Sequence, residues 1–359
     1  MKILISVGHP AHVHFFKNII WALEKKGHEI KIIARNKEVC INLLETYGFD
    51  YDLISNSGSG LFGLGIEMIS RVIKIIPLIK NFNPDLILSM MDPSIAIGAK
   101  IFGKKYISLA DTEHATFIIK SVLPLTDVVL TPSCFKKELG IKQIRYAGYH
   151  ELAYLHPNYF TPNSEVLNEL GLSEDYTFII LRFISWNAHH DIGQQGIQNK
   201  IELVKKLEKY GRVLITSEGD IDSELEKYKI KVSPEKLHDL LYYATLYIGE
   251  GGTTASESAV LGTHAIHIST TAKYCGVFNN IYNYGLMWTY DDENGAIDLI
   301  QELLQKTDLL EKGKRKRDIL VSENINVTDF MVWLLDNYPR SLKMIKQNPD
   351  STINVGDLL

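Results

Sequence analysis

The stretch that decides the fold is GEGGTTASESAVLG, residues 249–262. An apolar run at residues 245–248 precedes it, and a second apolar run at residues 264–268 follows it. This order predicts a buried strand, a glycine-rich turn, a short helix and a second buried strand. Paired glycines let a ligand approach the backbone closely, and the free amides at a helix N-terminus bind phosphate. We therefore predict a phosphate site here, and a plain tight turn in an α/β domain is the alternative.

The alternation of strand and helix extends along the chain on both sides of this stretch. A strand at residues 2–7 and a helix at residues 15–26 begin a regular succession, which restarts with a strand at 177–182 and a helix at 197–210. Such alternation is typical of a parallel sheet with helices on both faces. The sequence therefore predicts an α/β fold with two Rossmann-like, doubly wound parallel-sheet domains.

The boundary between these domains is predicted where the alternation lapses. Residues 150–163 contain two prolines and several aromatic residues without a clear period. We place the N-terminal domain at residues 1–150 and the C-terminal domain at residues 151–337. Pro339 must kink or end the apolar helix before it, and a further helical piece is expected at residues 338–350.

The composition favours a cytoplasmic globular protein. The 359 residues carry a formal net charge of −5, which argues against a broad nucleic-acid surface. The three cysteines are far apart, so free thiols in a reducing compartment are expected. The chain enters a strand at residues 2–7, and no cleavable signal peptide is evident.

One amphipathic helix allows contact with a membrane surface. Residues 66–80 are too polar to span a bilayer, since they include Glu67, Arg71, Lys74 and Pro77. An apolar face with basic residues predicts weak contact of residues 61–80 with the inner face of the membrane. A helix packed on the sheet is the alternative that we favour.

Three histidines, His9, His12 and His14, follow the first predicted strand. The carboxyl edge of a doubly wound sheet is where ligands bind. No cysteine or carboxylate nearby completes a set of ligands, so we expect no metal. Imidazole titrates near neutral pH, and His12 is the candidate general base because it falls at the start of the helix. A histidine that caps the turn is the alternative.

Two further groups of polar residues follow predicted strands. The first group follows the fifth strand and consists of Asp111, Glu113 and His114. A carboxylate there can orient a histidine or bind sugar hydroxyls, so Glu113 and His114 are catalytic candidates. A solvated loop is the alternative. Arg182 ends the first strand of the second domain, where its forked guanidinium suits a diphosphate, and a salt bridge is the alternative. The loop after Arg182 adds three candidates, His189, His190 and Asp191. The edges of the two domains are expected to face each other across a cleft.

Four motifs together resemble the GT-B superfamily of nucleotide-sugar glycosyltransferases and non-hydrolysing UDP-N-acetylglucosamine 2-epimerases. They also resemble, more narrowly, the family called domain of unknown function 354. The motifs are GHPAHVHFF (8–16), YAGYHE (146–151), LRF (181–183) and GGTTASESAVLG (251–262). The resemblance implies a GT-B fold with an interdomain cleft, and a C-terminal helix at 338–350 that packs back on the first domain.

The resemblance also implies roles for individual residues. Ala11-His12-Val13 is similar to the Gly-His-Val of MurG-type transferases, where the histidine is a candidate base. Glu257 matches the glutamate that holds the ribose hydroxyls of UDP. The loop that cradles the diphosphate is matched by Gly251, Gly252, Thr253 and Thr254.

The reaction stays open because the residues after Arg182 match neither family pattern: they form neither a glycine-rich loop nor a histidine with paired arginines. We expect a glycosyltransferase that passes sugar from a nucleoside diphosphate sugar, foremost a UDP sugar, to an unidentified acceptor in surface polysaccharide or glycoconjugate synthesis. A nucleotide-sugar 2-epimerase and a nucleotide-sugar-binding protein without turnover are the alternatives. No cofactor is expected beyond the nucleotide sugar as substrate, and the oligomeric state is left open.

Overall fold

Apolar strands alternate with helices throughout the computed structural model, which describes residues 1–56, 60–184 and 196–347. The chain forms two units. Unit 1 contains Met1–Tyr159 and the chain from Asn324 onward, and unit 2 contains Phe160–Glu323.

Unit 1 is built on a seven-stranded sheet whose neighbouring strands all pair in parallel. The strands are β1 (Lys2–Val7), β2 (Glu29–Asn36), β3 (Tyr51–Asn56), β4 (Leu86–Met90), β5 (Lys105–Leu109), β6 (Val128–Pro132) and β7 (Gln143–Tyr146). Their spatial order is β3-β2-β1-β4-β5-β6-β7. The direction in which strands are added therefore reverses between β1 and β4, as in a doubly wound fold, and ligands bind at such a point.

The first six helices all belong to unit 1. They are α1 (Pro10–Lys25), α2 (Cys40–Thr46), α3 (Gly60–Phe82), α4 (Pro93–Ile101), α5 (Thr116–Val122) and α6 (Leu152–Leu155). Helix α3 packs on the core, because Ile75 and Ile79 are fully buried. A Cβ at Gly98 of α4 would lie only 2.9 Å from Ile79, so a glycine is needed for this close approach.

Helix α1 begins at Pro10, whereas the sequence predicts a start at residue 15. Proline suits the first helical position, since its backbone is already in the helical range and the missing N–H has no partner there anyway. His9 caps the helix, since its Nδ1 accepts the Ala11 N–H at 3.2 Å. His12 and His14 consequently lie on a helix and not in a turn.

Unit 2 is built on a five-stranded sheet, also parallel throughout. The strands are β8 (Phe178–Phe183), β9 (Arg212–Ser217), β10 (Leu246–Gly249), β11 (Ala265–Ile268) and β12 (Met287–Tyr290). Their order is β12-β11-β10-β8-β9, so the winding reverses between β8 and β10. The helices are α7 (Glu165–Glu169), α8 (Lys200–Leu207), α9 (Leu237–Tyr243), α10 (Gly252–Val260), α11 (Gly276–Asn283), α12 (Glu293–Leu304) and α13 (Leu309–Ser322).

Two C-terminal helices, α14 (Val327–Asp336) and α15 (Arg340–Gln347), return to unit 1. The sequence instead assigns residues 151–337 to the second domain. Two contacts explain the difference: Thr328 Oγ1 donates to the Ala153 carbonyl at 2.5 Å, and Ile325 N–H donates to the Ala147 carbonyl at 2.7 Å. Ala147 and Ala153, the latter in buried helix α6, thus tie the returning chain to unit 1. Residues 348–350 of the predicted C-terminal helix lie outside the described residues.

None of the helices in the described part of the chain combines the length and the hydropathy needed to cross a bilayer.

Candidate active site

The N-terminus of α10 lies where the winding of unit 2 reverses. Gly251 is its N-cap residue and has an extended backbone, and no side chain among the described residues caps the helix. The amides of the first turn lack intrahelical acceptors, and the helix dipole adds positive potential there. Thr253 is exposed, whereas Thr254 is buried. The arrangement has the chemistry of an anion site.

Gly252 is required by packing at this turn. A Cβ on Gly252 would lie 2.6 Å from the Phe278 ring and 3.6 Å from His267 Nε2. His267 is buried behind the turn, and its Nδ1 lies 3.3 Å from the Gly249 carbonyl. Burial lowers the pKa of His267 to about 4, so its imidazole is neutral at pH 7.

Arg182 lies beside this turn, since it pairs with Gly249 across β8 and β10. Its Nε would lie 3.6 Å from a Cβ on Gly251. The guanidinium also bonds to Glu218, with 2.9 Å between Nη2 and Oε1. The salt bridge considered as the alternative is therefore present, and an arriving diphosphate would compete with Glu218 for Arg182.

Glu250 is a residue of this site that sequence reasoning misses. It is 3% exposed, and its two carboxylate oxygens accept the N–H groups of Ile184 at 3.0 Å and Ile197 at 2.9 Å. Glu250 thus fixes both ends of the loop that follows β8. Its position within the glycine-rich motif is the signal that could have indicated it. The predicted candidates in that loop, His189, His190 and Asp191, lie outside the described residues.

Glu257 is 4% exposed and lies in the second turn of α10. Its Oε1 is 3.0 Å from Nε2 of His238, a buried residue of α9. The ring of His238 in turn meets Phe160 edge to face. The carboxylate is therefore held inside unit 2 by a histidine that the sequence did not single out, and its predicted contact with ribose stays a prediction.

His12 lies in the first turn of α1, where the winding of unit 1 reverses. Its Nδ1 accepts the Gly8 N–H at 3.2 Å. The proton of the neutral ring must then be on Nε2. Burial lowers the pKa of His12 to about 3, and His9 contributes in the same direction. His12 is thus a hydrogen-bond donor at Nε2, which argues against the predicted role of general base.

Asp111 follows β5 and pairs with a histidine that was not predicted. Its Oδ2 lies 2.9 Å from Nδ1 of His150, and its Oδ1 accepts from the Thr112 hydroxyl at 2.8 Å. Burial raises the pKa of Asp111, but His150 outweighs that effect and holds this pKa below its usual range. The charges of Asp111 and His150 also act on the pKa of His12, which Asp111 raises and His150 lowers. The structure thus brings His12, Asp111 and His150 together.

The other candidates of unit 1 have structural contacts. His14 is buried, with Nδ1 3.3 Å from the Tyr47 hydroxyl and its ring stacked on Tyr154. Glu113 is buried and accepts the Lys136 N–H at 2.9 Å. The half-buried His114 directs its carbonyl to the Thr116 N–H at 2.7 Å. His9 is the N-cap of α1 and lies 3.7 Å from the carboxylate of Glu38.

Helix α3 is tied to the same sheet edge by two ion pairs. Arg71 pairs with Asp92, the N-cap of α4, and Glu67 pairs with Arg35 of β2. Its outward face leaves three isoleucines exposed, and Lys74 and Lys80 are exposed on the same helix. These isoleucines are Ile66, Ile69 and Ile73, with Ile69 65% exposed. Contact with a membrane surface stays a prediction.

Among the described residues, no group of three or more His, Cys, Asp or Glu side chains is placed to hold a metal ion.

Two doubly wound α/β units, each with a polar site where its strand order reverses, define the GT-B class of fold. This confirms the fold class that the sequence predicts. The chain belongs to the family described as "Protein of unknown function (DUF354)", whose model matches residues 1–336. It is 29% identical over 278 residues to "Uncharacterized protein MJ0665" of Methanocaldococcus jannaschii, an alignment that covers 73% of this chain and 80% of that protein.

Solved structures with the same fold include epimerase-like and transferase-like proteins. MnaA of S. aureus, solved with UDP, has a TM-score of 0.65 at 11% identity, covering 96% of this chain and 97% of that one. A candidate UDP-N-acetylglucosamine 2-epimerase from Listeria monocytogenes has a TM-score of 0.64 at 14% identity, covering 87% and 90%. The glycosyltransferase SsfS6 of Streptomyces sp. SF2575 has a TM-score of 0.58 at 13% identity, covering 94% and 100%. Similarity at these identities establishes the fold.

Proposed function

We propose that this protein is a glycosyltransferase that takes its sugar from a nucleoside diphosphate sugar. The observation that carries the proposal is the N-terminus of α10, which no described side chain caps and which lies beside Arg182 where the winding of unit 2 reverses. Backbone amides, a helix dipole and a guanidinium at one place suit a diphosphate.

The diphosphate would accept from the amides that follow Gly251 and from Arg182. As the bond to the sugar breaks, negative charge grows on the diphosphate, and donors already in place stabilise that charge without reorganisation. Glu218 would exchange its contact with Arg182 for solvent when the ligand arrives.

The nucleoside is proposed to be uridine in the first instance. The S. aureus MnaA structure contains UDP, and an SsfS6 structure contains thymidine diphosphate. Both are pyrimidine nucleoside diphosphates. In this chain, Glu257 would bind the ribose hydroxyls as a carboxylate oriented by His238.

Unit 1 would bind the acceptor hydroxyl. In the transfer, the acceptor oxygen bonds to the anomeric carbon, the bond from that carbon to the diphosphate oxygen breaks, and its electron pair leaves with the diphosphate. The hydroxyl proton must go to a base. His12 would donate a hydrogen bond from Nε2 to the acceptor.

Thermal unfolding with UDP, TDP and their sugars tests the donor site. A ligand at 100 times its Kd stabilises by about 2.7 kcal/mol, which corresponds to a rise in Tm of about 5–10 °C for a unit of this size. Gly252→Ala should abolish the rise because its Cβ would clash with the Phe278 ring and distort the turn. Gly219→Ala is the control, since nothing lies within 4 Å of a Cβ there. If no nucleoside diphosphate or sugar nucleotide raises the Tm of the unsubstituted protein, the proposal fails.

Epimerisation at C2 of the sugar is the second candidate. It is favoured by the TM-score of 0.64 for the candidate epimerase, against 0.58 for SsfS6. UDP-N-acetylglucosamine incubated in D₂O without an acceptor separates the two reactions by NMR. Inversion with deuterium at C2 supports the epimerase, whereas acceptor-dependent release of UDP supports the transferase.

A further inference from the structure

Asp111 holds His150 with one carboxylate oxygen and is itself held by a bond to the other. Oδ2 is 2.9 Å from His150 Nδ1, while Oδ1 is occupied by the Thr112 hydroxyl at 2.8 Å. A carboxylate only accepts hydrogen bonds, so His150 must carry a proton on Nδ1. The neutral ring then has its lone pair on Nε2.

Nε2 of His150 is buried and has no hydrogen-bond partner among the described residues. The residue is 8% exposed, and its ring is held by Phe15 edge to face at 5.0 Å and by Tyr146 stacked at 6.3 Å. An unmatched buried acceptor costs about 1–3 kcal/mol, so its persistence needs an explanation. A hydroxyl group of a ligand would supply the missing proton donor.

The two histidines of this edge have opposite proton arrangements. His12 is neutral with its proton on Nε2, because the Gly8 N–H occupies Nδ1. His150 is oriented by Asp111 with Nε2 as the acceptor. A ligand hydroxyl at this edge would therefore find a donor in His12 and an acceptor in His150. A histidine oriented by a carboxylate at its other nitrogen is a common arrangement for a general base.

We propose that His150 is the general base of the transferase reaction and that Asp111 is its positioning residue. This rests on the function proposed above. The acceptor O–H bond breaks and its proton goes to His150 Nε2, while the acceptor oxygen forms the bond to the anomeric carbon. The electron pair of the broken sugar–diphosphate bond leaves with the nucleoside diphosphate.

The charges around His150 set the sign of the pH dependence. Burial lowers the pKa of His150, but Asp111 outweighs burial, and Glu151 acts with Asp111, so the pKa is raised overall. The titratable groups that act on His150 or its stacking partner Tyr146 are Asp111, Glu151, His12 and Cys134. A base works only when unprotonated, so kcat should fall as the pH drops through the raised pKa of His150.

NMR of protein labelled with ¹⁵N-histidine tests the proton arrangement without turnover. We expect His150 as the Nδ1–H tautomer and His12 as the Nε2–H tautomer, assigned with the His150→Gln and His12→Gln variants. In Asp111→Asn the amide can donate to Nδ1, so the proton of His150 should move to Nε2. An Nε2–H tautomer of His150 in the unsubstituted protein would overturn the proposal.

Turnover is measured as release of UDP from UDP-N-acetylglucosamine, with water in place of the acceptor. His150→Gln and Asp111→Asn should lower kcat by about 10²- to 10⁴-fold, the usual contribution of a general base. In Asp111→Asn the pKa of His150 loses the raising effect of Asp111, so the fall of the residual kcat at acid pH should move to lower pH. The Kd for UDP should stay within about twofold, because His150 and Asp111 belong to unit 1.

A matched control is Asp85→Asn, the same chemical change on an exposed residue that accepts from Lys2 N–H just before β4. It should leave kcat unchanged. Retained kcat in His150→Gln, or an unmoved pH profile in Asp111→Asn, with UDP binding intact, overturns the role of His150. Absence of binding of every nucleoside diphosphate and sugar nucleotide to the unsubstituted protein overturns the proposed function itself. If UDP binds without turnover, the tautomer of His150 decides.

Discussion

Replacing Glu250 with Gln tests whether one buried carboxylate fixes the loop beside the donor site. Glu250 accepts one N–H on each oxygen, from Ile184 at 3.0 Å and from Ile197 at 2.9 Å, and is only 3% exposed. Glutamine keeps one acceptor oxygen, but its NH₂ group must face the other N–H. Two donors then oppose each other in a place that water does not reach.

The magnitude follows from the hydrogen bonds that are lost. A buried amide left without an acceptor costs about 1–3 kcal/mol, and the remaining bond loses its charge assistance. We expect Glu250→Gln to lower the free energy of unfolding of unit 2 by about 2–3 kcal/mol. Glu250→Ala, which removes both acceptors, should lower it by about 3–5 kcal/mol.

Urea unfolding followed by intrinsic fluorescence and circular dichroism measures this loss. Glu218→Gln is the matched control, because the same change on a partly exposed ion pair with Arg182 should cost under about 1 kcal/mol. If Glu250→Gln and Glu218→Gln lower the free energy of unfolding by amounts within about 0.5 kcal/mol of each other, the two hydrogen bonds to Glu250 contribute little to stability, which refutes the role given to Glu250.

Three further predictions concern the ligand, pH and membrane. Glu218→Gln should tighten the binding of UDP about two- to fivefold in calorimetry, since the carboxylate of Glu218 then no longer competes for Arg182. Weaker binding would count against Arg182 as a phosphate ligand. Stability should fall between pH 6.5 and about 4, because burial lowers the pKa of His267 to about 4 and the unfolded chain therefore binds more protons in this range. Urea titrations should show His267→Gln reducing this slope by up to about 1.4 kcal/mol per pH unit, and an unchanged slope would disprove it. Replacing both exposed residues Ile69 and Ile73 with Gln should weaken the affinity for anionic vesicles at least tenfold, measured by sedimentation. The reason is that moving each isoleucine side chain from water into the membrane contributes about 1.5 kcal/mol or more. Failure of the unsubstituted protein to sediment with the vesicles would exclude the contact.

Much of the fold is predictable because its signals are local. The strand predicted at residues 105–109 is β5 (Lys105–Leu109), since a buried parallel strand reads as one apolar run between polar ends. The start of α10 was predicted from its glycines. Strand β12 (Met287–Tyr290) was missed because it is short and mostly half-buried.

The domain boundaries were displaced because their signals are not local. Helix α6 has only four residues, too few to show a helical period. Its membership of unit 1 depends on Ala153, whose carbonyl accepts from Thr328 far along the chain. A lapse in the alternation of strands and helices therefore shows that a linker is near, but it misses a short helix such as α6 that still belongs to the first unit.

The sequence by itself determined the fold class, the family and the position of the phosphate-type turn, because periodicity and motif spacing are properties of neighbouring residues. Only the tertiary structure decided which side chains act together. His150 meets Asp111, His238 meets Glu257, and Glu250 spans both ends of a loop. Each pair joins distant parts of the chain, so it depends on strand order and burial, which no local pattern contains. The protonated nitrogen of His12 likewise depends on a single backbone amide, that of Gly8, which the fold places against its ring.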